Sequence, residues 1–180
     1  GLPERYVIVV GTIEPRKNLV RLLEALQRLR DEGLTLPLVV VGSKGWLYDD
    51  LFRRLEELPL RHDVIFPGYV PSVDLPLLYN AATMAAMPSV YEGFGLPVLE
   101  AMACGTPVVS SDASCLPEIG GDAPHYFDPY DVEAMAQALR EVWADAELRA
   151  EMRARGLAQA ARFSWARAAR ETLAVYESLF

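Results

Sequence analysis

The sequence predicts an α/β fold: a doubly wound parallel sheet of about six strands with C-terminal helices. Three observations lead to it. Short, continuous apolar runs rich in β-branched residues read as strands covered on both faces. Segments with leucines three and four positions apart read as amphipathic helices. The two kinds alternate along the chain, which predicts parallel βαβ units.

Tyr6 to Thr12 (YVIVVGT) is the first strand. The loop IEPRKN follows, with Asn18 as the expected N-cap of a helix on which Leu19, Leu22, Leu23, Leu26 and Leu29 share a face. Leu36 to Gly42 (LPLVVVG) is the second strand, and Leu47, Leu51 and Leu55 mark the next helix. Asp63 to Gly68 is the third strand. A short helix is expected from Ser72, and Pro76 leaves its start open, because an interior proline costs about 3 kcal/mol. Thr83 to Ser89 is the fourth strand, poor in β-branched residues. A helix then runs from Pro97, a favoured first helical residue, to Cys104, with Gly105 ending it. Its Leu99, Met102 and Ala103 are expected to face the core. Pro107 to Ser111 and His125 to Asp128 are the fifth and sixth strands. Beyond Asp131, Val132, Met135, Leu139 and Val142 lie on one helical face. Another helix spans roughly Ala146 to Ala161, and a last one follows Ser164 as N-cap.

The 180 residues suit one domain with a sizeable core. No apolar run approaches the roughly 18 residues of a membrane span. The opening residues lack the basic and long apolar segments of a signal peptide. They enter a strand almost at once, so the chain is expected to begin at a domain boundary. A net charge of -8 argues against nucleic acid as a partner, since phosphate backbones select basic surfaces. It leaves room for a small phosphate-bearing ligand, which needs only a few local donors. Cys104 and Cys115 form neither a metal spacing nor a disulfide framework, and read as small thiols in a reducing compartment.

In a doubly wound sheet, ligands bind beyond the carboxyl ends of the strands. Arg16 and Lys17 lie in the first such loop, just before a helix. They read either as an anion site or as a solvated basic pair. Lys44, in GSKGW after the second strand, faces a phosphate or only water. Tyr69 and Val70, in FPGYVP after the third strand, either cover a flat ring or form a lid on the next helix. The most specific stretch is EGFGLPVLEAMACG, from Glu92 to Gly105. Gly93 and Gly95 allow close approach of a ligand. The N–H groups of Gly93, Phe94, Gly95 and Leu96 are free to line an anion cavity at a positive helix end. Glu92 and Glu100 are natural acceptors for pairs of sugar hydroxyls. Their plain readings are a loop acid and an acid near a helix N-terminus.

Taken together, GTIEPRKNL, VGSKGW, PGYVP, PSVYEGFGLPVLEAMACGTPVVSSDASCLPEIGGDA, YFDPYD and FSW span nearly the whole chain. In this order they resemble the C-terminal domain of retaining glycosyltransferases of the GT-B architecture, family four, most of all its mannosyltransferase-like members. The resemblance implies a Rossmann-like domain that binds a nucleoside diphosphate sugar. It implies that Arg16 and Lys17 neutralise the donor diphosphate, and that Glu92 and Glu100 are the acids of an E-x7-E motif. Glu92 then lies at the donor sugar and Glu100 at the ribose diol. The amides of Phe94, Gly95 and Leu96 meet sugar and diphosphate, while Tyr69 and Val70 contact the base. Gly11 ends the first strand at the donor. Thr12 stands where many relatives have an arginine, and Arg16 is expected to compensate. Arg16, Lys17 and Glu92 are the candidates for catalysis.

The resemblance further implies that residues 1–180 are the donor-binding half, with the acceptor site on an N-terminal domain outside this chain. No metal and no further cofactor is expected. The last helix, through Leu173, Tyr176 and Phe180, is expected to pack on that other domain, or to self-associate. A cytoplasmic location is expected, with attachment at the inner face of a membrane through the other domain. Two alternatives share the architecture: a nucleotide-sugar epimerase and a non-catalytic nucleotide-binding module.

Overall fold

The computed structural model describes residues 1–179; Phe180 lies outside them. Six strands, β1 (Val7–Val10), β2 (Leu38–Val41), β3 (Val64–Gly68), β4 (Met84–Met87), β5 (Val108–Ser111) and β6 (His125–Phe127), form one sheet. Every neighbouring pair is parallel, in the order β3-β2-β1-β4-β5-β6. The chain builds outward from β1 to β3, returns to the middle at β4 and builds the other way. The reversal opens a crevice beyond the carboxyl ends of β1 and β4. This is the expected doubly wound, Rossmann-like sheet.

Among the described residues eight α-helices flank it: α1 (Leu19–Asp31), α2 (Asp49–Glu57), α3 (Leu75–Ala81), α4 (Leu96–Ala103), α5 (Leu116–Gly120), α6 (Val132–Ala144), α7 (Ala146–Ala160) and α8 (Trp165–Glu177). Strand alternation sends neighbouring side chains into two cores. Val7, Val9, Leu38 and Val40 join Leu22, Leu26 and Leu29 of α1 and Met135, Leu139 and Val142 of α6. Ile8, Val39, Val41 and Ala85 join Tyr79 of α3 and Val98, Ala101 and Met102 of α4. β4 lacks β-branched residues, yet all of its residues are buried. Its place between β1 and β5 fixes it, rather than strand propensity.

The structure corrects several sequence expectations. Leu47 lies before α2 with a positive φ of 49° and an exposed side chain, so only Leu51 and Leu55 carry that helix's buried face. α3 starts at Leu75, not Ser72, which puts Pro76 in its first turn, where a missing N–H costs nothing. α4 likewise starts one residue before Pro97. Ala103 is exposed and Leu99 half-buried; Val98, Ala101 and Met102 make the inward stripe. The short helix α5 was not foreseen, because five residues carry no helical periodicity. Asn18 sits at the N-terminus of α1 but makes no capping hydrogen bond; its backbone is left-handed, φ 57°, and its side chain is used elsewhere. No helix among the described residues is long and apolar enough to cross a membrane.

Candidate functional site

The crevice is built where the loops after β1, β4, β5 and β6 converge. A single 3₁₀ turn (Pro15–Lys17) leads from the β1 loop into α1. The Asn18 amide Nδ2 donates to the carbonyls of Pro88, at 3.0 Å, and Pro129, at 2.8 Å. The Val90 N–H donates to the Arg16 carbonyl at 2.9 Å. The β1 loop is thereby tied to the loops after β4 and β6.

Within this frame the Glu92 carboxylate is buried, at 6% exposure, and accepts from three sides. Lys17 Nζ lies 2.8 Å from its Oε1, Arg16 Nη1 2.6 Å from its Oε2, and Ser89 Oγ donates to Oε1 at 2.7 Å. Burial pushes this carboxyl up, but the hydrogen bonds from Lys17 and Ser89, the Lys17 charge and the Arg16 hydrogen bond outweigh it, and the group ends below the usual carboxylate range. Ser89 is itself held, since Ser111 Oγ donates to its carbonyl at 2.6 Å. The Glu92 carbonyl accepts from Ser114 Oγ at 2.7 Å and from Cys115 Sγ at 3.2 Å. Gly11, with φ 146°, leaves room for Lys17: a Cβ there would stand 2.9 Å from Lys17 Cε and Nζ.

Arg16 also pairs with Glu14 at 2.5 Å. The two cations therefore face two carboxylates, where the sequence suggested cations free for an anion. Neither is exhausted. Lys17 Nζ has three N–H donors and Arg16 five, more than these contacts use. The adjoining loop adds amides. Gly95 is left-handed, φ 88°, and starts α4 without a side-chain cap. Among the described residues, the N–H groups of Gly93, Phe94, Gly95 and Leu96 donate to no carbonyl or side chain.

The other candidates stand apart from this cluster. Glu100 is exposed on α4, and its Oε2 accepts from the Tyr79 hydroxyl at 3.2 Å. Tyr79 is buried; burial and the Glu100 charge push its phenol far above the usual range, so it stays a donor. Phe94, Leu96, Glu100, Phe163 and Trp165 line a groove of about 330 Å³, and the rings of Phe94 and Phe163 meet edge to face with centroids 6.3 Å apart. Tyr69 is exposed just beyond β3, the edge strand, and Val70 is half-buried against the second core. Lys44 lies over the rings of Phe52, at 4.5 Å, and Tyr48, at 4.9 Å, so its charge is taken up by aromatic faces.

Ser89, Ser111, Ser114 and Tyr79 were not singled out in the sequence, Cys115 was read only as a small thiol, and the Asn18 side chain was expected to cap α1. All but Ser89 act on a group far along the chain, Ser89 reaches Glu92 three positions on, and a lone serine or tyrosine carries no spacing signal. The one available clue was position, since Ser111 ends β5 and Ser89 and Ser114 follow strand ends.

A family profile described as "Glycosyl transferases group 1" matches residues 2–159. Among curated proteins, the O-antigen chain mannosyltransferase B of Escherichia coli is 45% identical over 97% of this chain and 46% of its own length. The chain spans about half the length of this relative and about a fifth of the length of the serotype-specific mannosyltransferases it also matches. Among solved structures, sucrose-phosphate synthase from Thermosynechococcus elongatus superposes with a TM-score of 0.88 at 28% identity, over 99% of this chain and 47% of that one. The C-terminal domain of the glycosyl transferase group 1 family protein LpcC from Francisella tularensis gives 0.75 at 26% identity, over 87% and 85%. The profile, the relatives and the fold agree, and the chain belongs to the group 1 glycosyl transferases.

Proposed function

We propose that this chain is the donor-binding half of a retaining glycosyltransferase, which moves a sugar, mannose by preference, from a nucleoside diphosphate sugar to an acceptor bound by another domain. The observation that carries the reading is the Arg16–Lys17–Glu92–Ser89 cluster beside four free amides, at the switch point of the sheet. The Escherichia coli relative's name supports the mannose assignment.

In this reading the diphosphate lies over the amides of residues 93–96 and takes the unused donors of Arg16 and Lys17. Glu92 fixes both cations, so that they meet the leaving phosphate in place, and its outer edge lies at the donor sugar. Glu100, held by Tyr79, accepts from the ribose diol, and Tyr69 and Val70 cover the base. Catalysis comes mainly from stabilising the departing diphosphate, by preorganised donors whose geometry needs no rearrangement. Its charge is assigned to these side chains and amides rather than to a metal or other cofactor. The exposed apolar face of α8, with Leu173 and Tyr176, is assigned to contact with the acceptor domain. The whole protein is placed in the cytoplasm, at the inner face of a membrane.

Titrating the chain with GDP and UDP, with amide shifts as readout, tests this. Saturable shifts at Lys17, Gly95 and Leu96 are expected. Binding that leaves these amides unmoved, or no binding of either nucleotide, would overturn the reading.

A further inference from the structure

At the opposite end of the sheet, the N-terminal ends of β1, β4 and β5 border a pocket of about 340 Å³. Three arginines line it: Arg5, just before β1, and Arg149 and Arg153, one turn apart on α7. Thr83, Gly105 and Thr106 also line it. Among the described residues, none of the three arginines has a carboxylate partner. This is unusual for a chain with 25 acidic and 17 basic side chains. Like charges are gathered here rather than neutralised.

The guanidiniums are also held in place. Arg5 donates to the Trp143 carbonyl at 2.7 Å and lies 4.2 Å over that residue's ring. Arg149 donates to the carbonyls of Val142, at 2.8 Å, and Trp143, at 2.6 Å. Arg153 donates to the Gly105 carbonyl at 3.2 Å and lies against Gly105, where a Cβ would stand 2.8 Å from its Cζ. Burial, and then the charge of Arg5, hold the Arg149 guanidinium below its ordinary value, against the pull of Asp145.

Closing the last turn of α6 explains Arg149 alone, because that side chain already reaches both carbonyls. Arg5 adds a second donor to one of them, and Arg153 touches neither. Each guanidinium carries five N–H groups and uses a single nitrogen in these bonds. Fixed, planar, unspent donors of one sign around a cavity match a tetrahedral oxyanion.

We propose that this pocket is a second anion site, separate from the crevice at the carboxyl ends, and that it takes a phosphate monoester group. The same chemistry is offered by a small phosphorylated molecule and by the headgroup of an anionic lipid. The test follows the arginine Nε–Hε resonances of the chain while inorganic phosphate is added at constant ionic strength. Saturable shifts of the Arg149 and Arg153 side chains are expected. Arg153→Gln, which leaves the α6 contacts intact, is expected to weaken the response about tenfold without lowering the melting temperature. Co-sedimentation with phosphatidic acid vesicles, compared with phosphatidylcholine vesicles, then separates the sources. Retention only by the former points to a headgroup, and phosphate shifts without retention point to a soluble ligand. The proposal is overturned if chloride produces the same shifts as phosphate, or if Arg153→Gln leaves the phosphate response unchanged.

Discussion

Lys17 and Glu92 lie 75 positions apart in the chain and meet at 2.8 Å, both buried. The contact joins the loops after β1 and β4, the two strands between which the sheet reverses. It is at once a structural clamp on the crevice and the means by which the proposed diphosphate site is kept in register.

Removing one partner leaves the other charge buried without compensation, a change that typically costs about 3–5 kcal/mol. Glu92→Ala is therefore expected to lower the unfolding free energy by roughly 3 kcal/mol in urea titrations. A loss below about 0.5 kcal/mol, the size of an ordinary surface substitution, would show that the pair contributes nothing.

The same pair sets an acid limit. The folded Glu92 carboxyl lies below its ordinary value. Its stabilisation is therefore fully present above the unfolded carboxyl pKa of about 4.3 and is lost as pH falls through the lower folded value. The stability of the native protein should fall more steeply below about pH 4 than that of Glu92→Gln. Parallel stability curves for the two proteins would contradict the assignment.

Gly11→Ala tests the packing around Lys17. Its φ of 146° disfavours a side chain, and the new Cβ would press on Lys17 Cε and Nζ from 2.9 Å. The lysine tip must move off Glu92. Nucleoside diphosphate affinity should drop about tenfold, equivalent to one charged hydrogen bond, as measured by calorimetry.

Tyr79→Phe removes only the hydroxyl that donates to Glu100. If Glu100 holds the ribose diol, GDP binding should weaken about five-fold, in line with the roughly 1 kcal/mol of one hydrogen bond. Binding of 2′,3′-dideoxy GDP should be unchanged. Equal losses for both nucleotides would assign Tyr79 to structure alone.

α8 contains no buried residue, and Trp165 at its start is 82% exposed. A 13-residue helix without tertiary burial is marginal in water. Its amide protons should exchange with protection factors below about ten, while those of β1 and α1 exchange only through global unfolding. Strong protection of Leu173 and Tyr176 in the dilute chain would instead indicate a partner on this face.

Much of the fold was legible because periodicity survives in a single sequence. The leucines of α1 and the apolar runs of β1 and β2 show their partners' presence through their own pattern. Where elements were misplaced, the pattern was silent or overruled. Leu47 fits a helical spacing but occupies a left-handed turn, and α5 is too short to show a period. Among the site residues, Glu92, Arg16 and Lys17 stood out by charge and by the resemblance of their motifs. Ser111 and Tyr79 did not, because their importance lies in which distant atom each hydroxyl reaches, and Ser89 did not, because its bond to Glu92 depends on how the intervening loop turns.

By itself the sequence determined the alternation of strands and helices, and hence a doubly wound sheet with its chemistry at the strand ends. It also determined the family resemblance and the glycines that keep the loop of residues 93–96 open. Only the tertiary structure decided that Arg16 and Lys17 close on Glu92 rather than standing free, that Lys44 is taken up by aromatic rings, and that Arg5 joins Arg149 and Arg153 at the far end of the sheet. The reason is physical. Periodicity is a local property that neighbouring residues express together, whereas the partner of a charge is chosen by the packing of segments that the chain's order does not bring together.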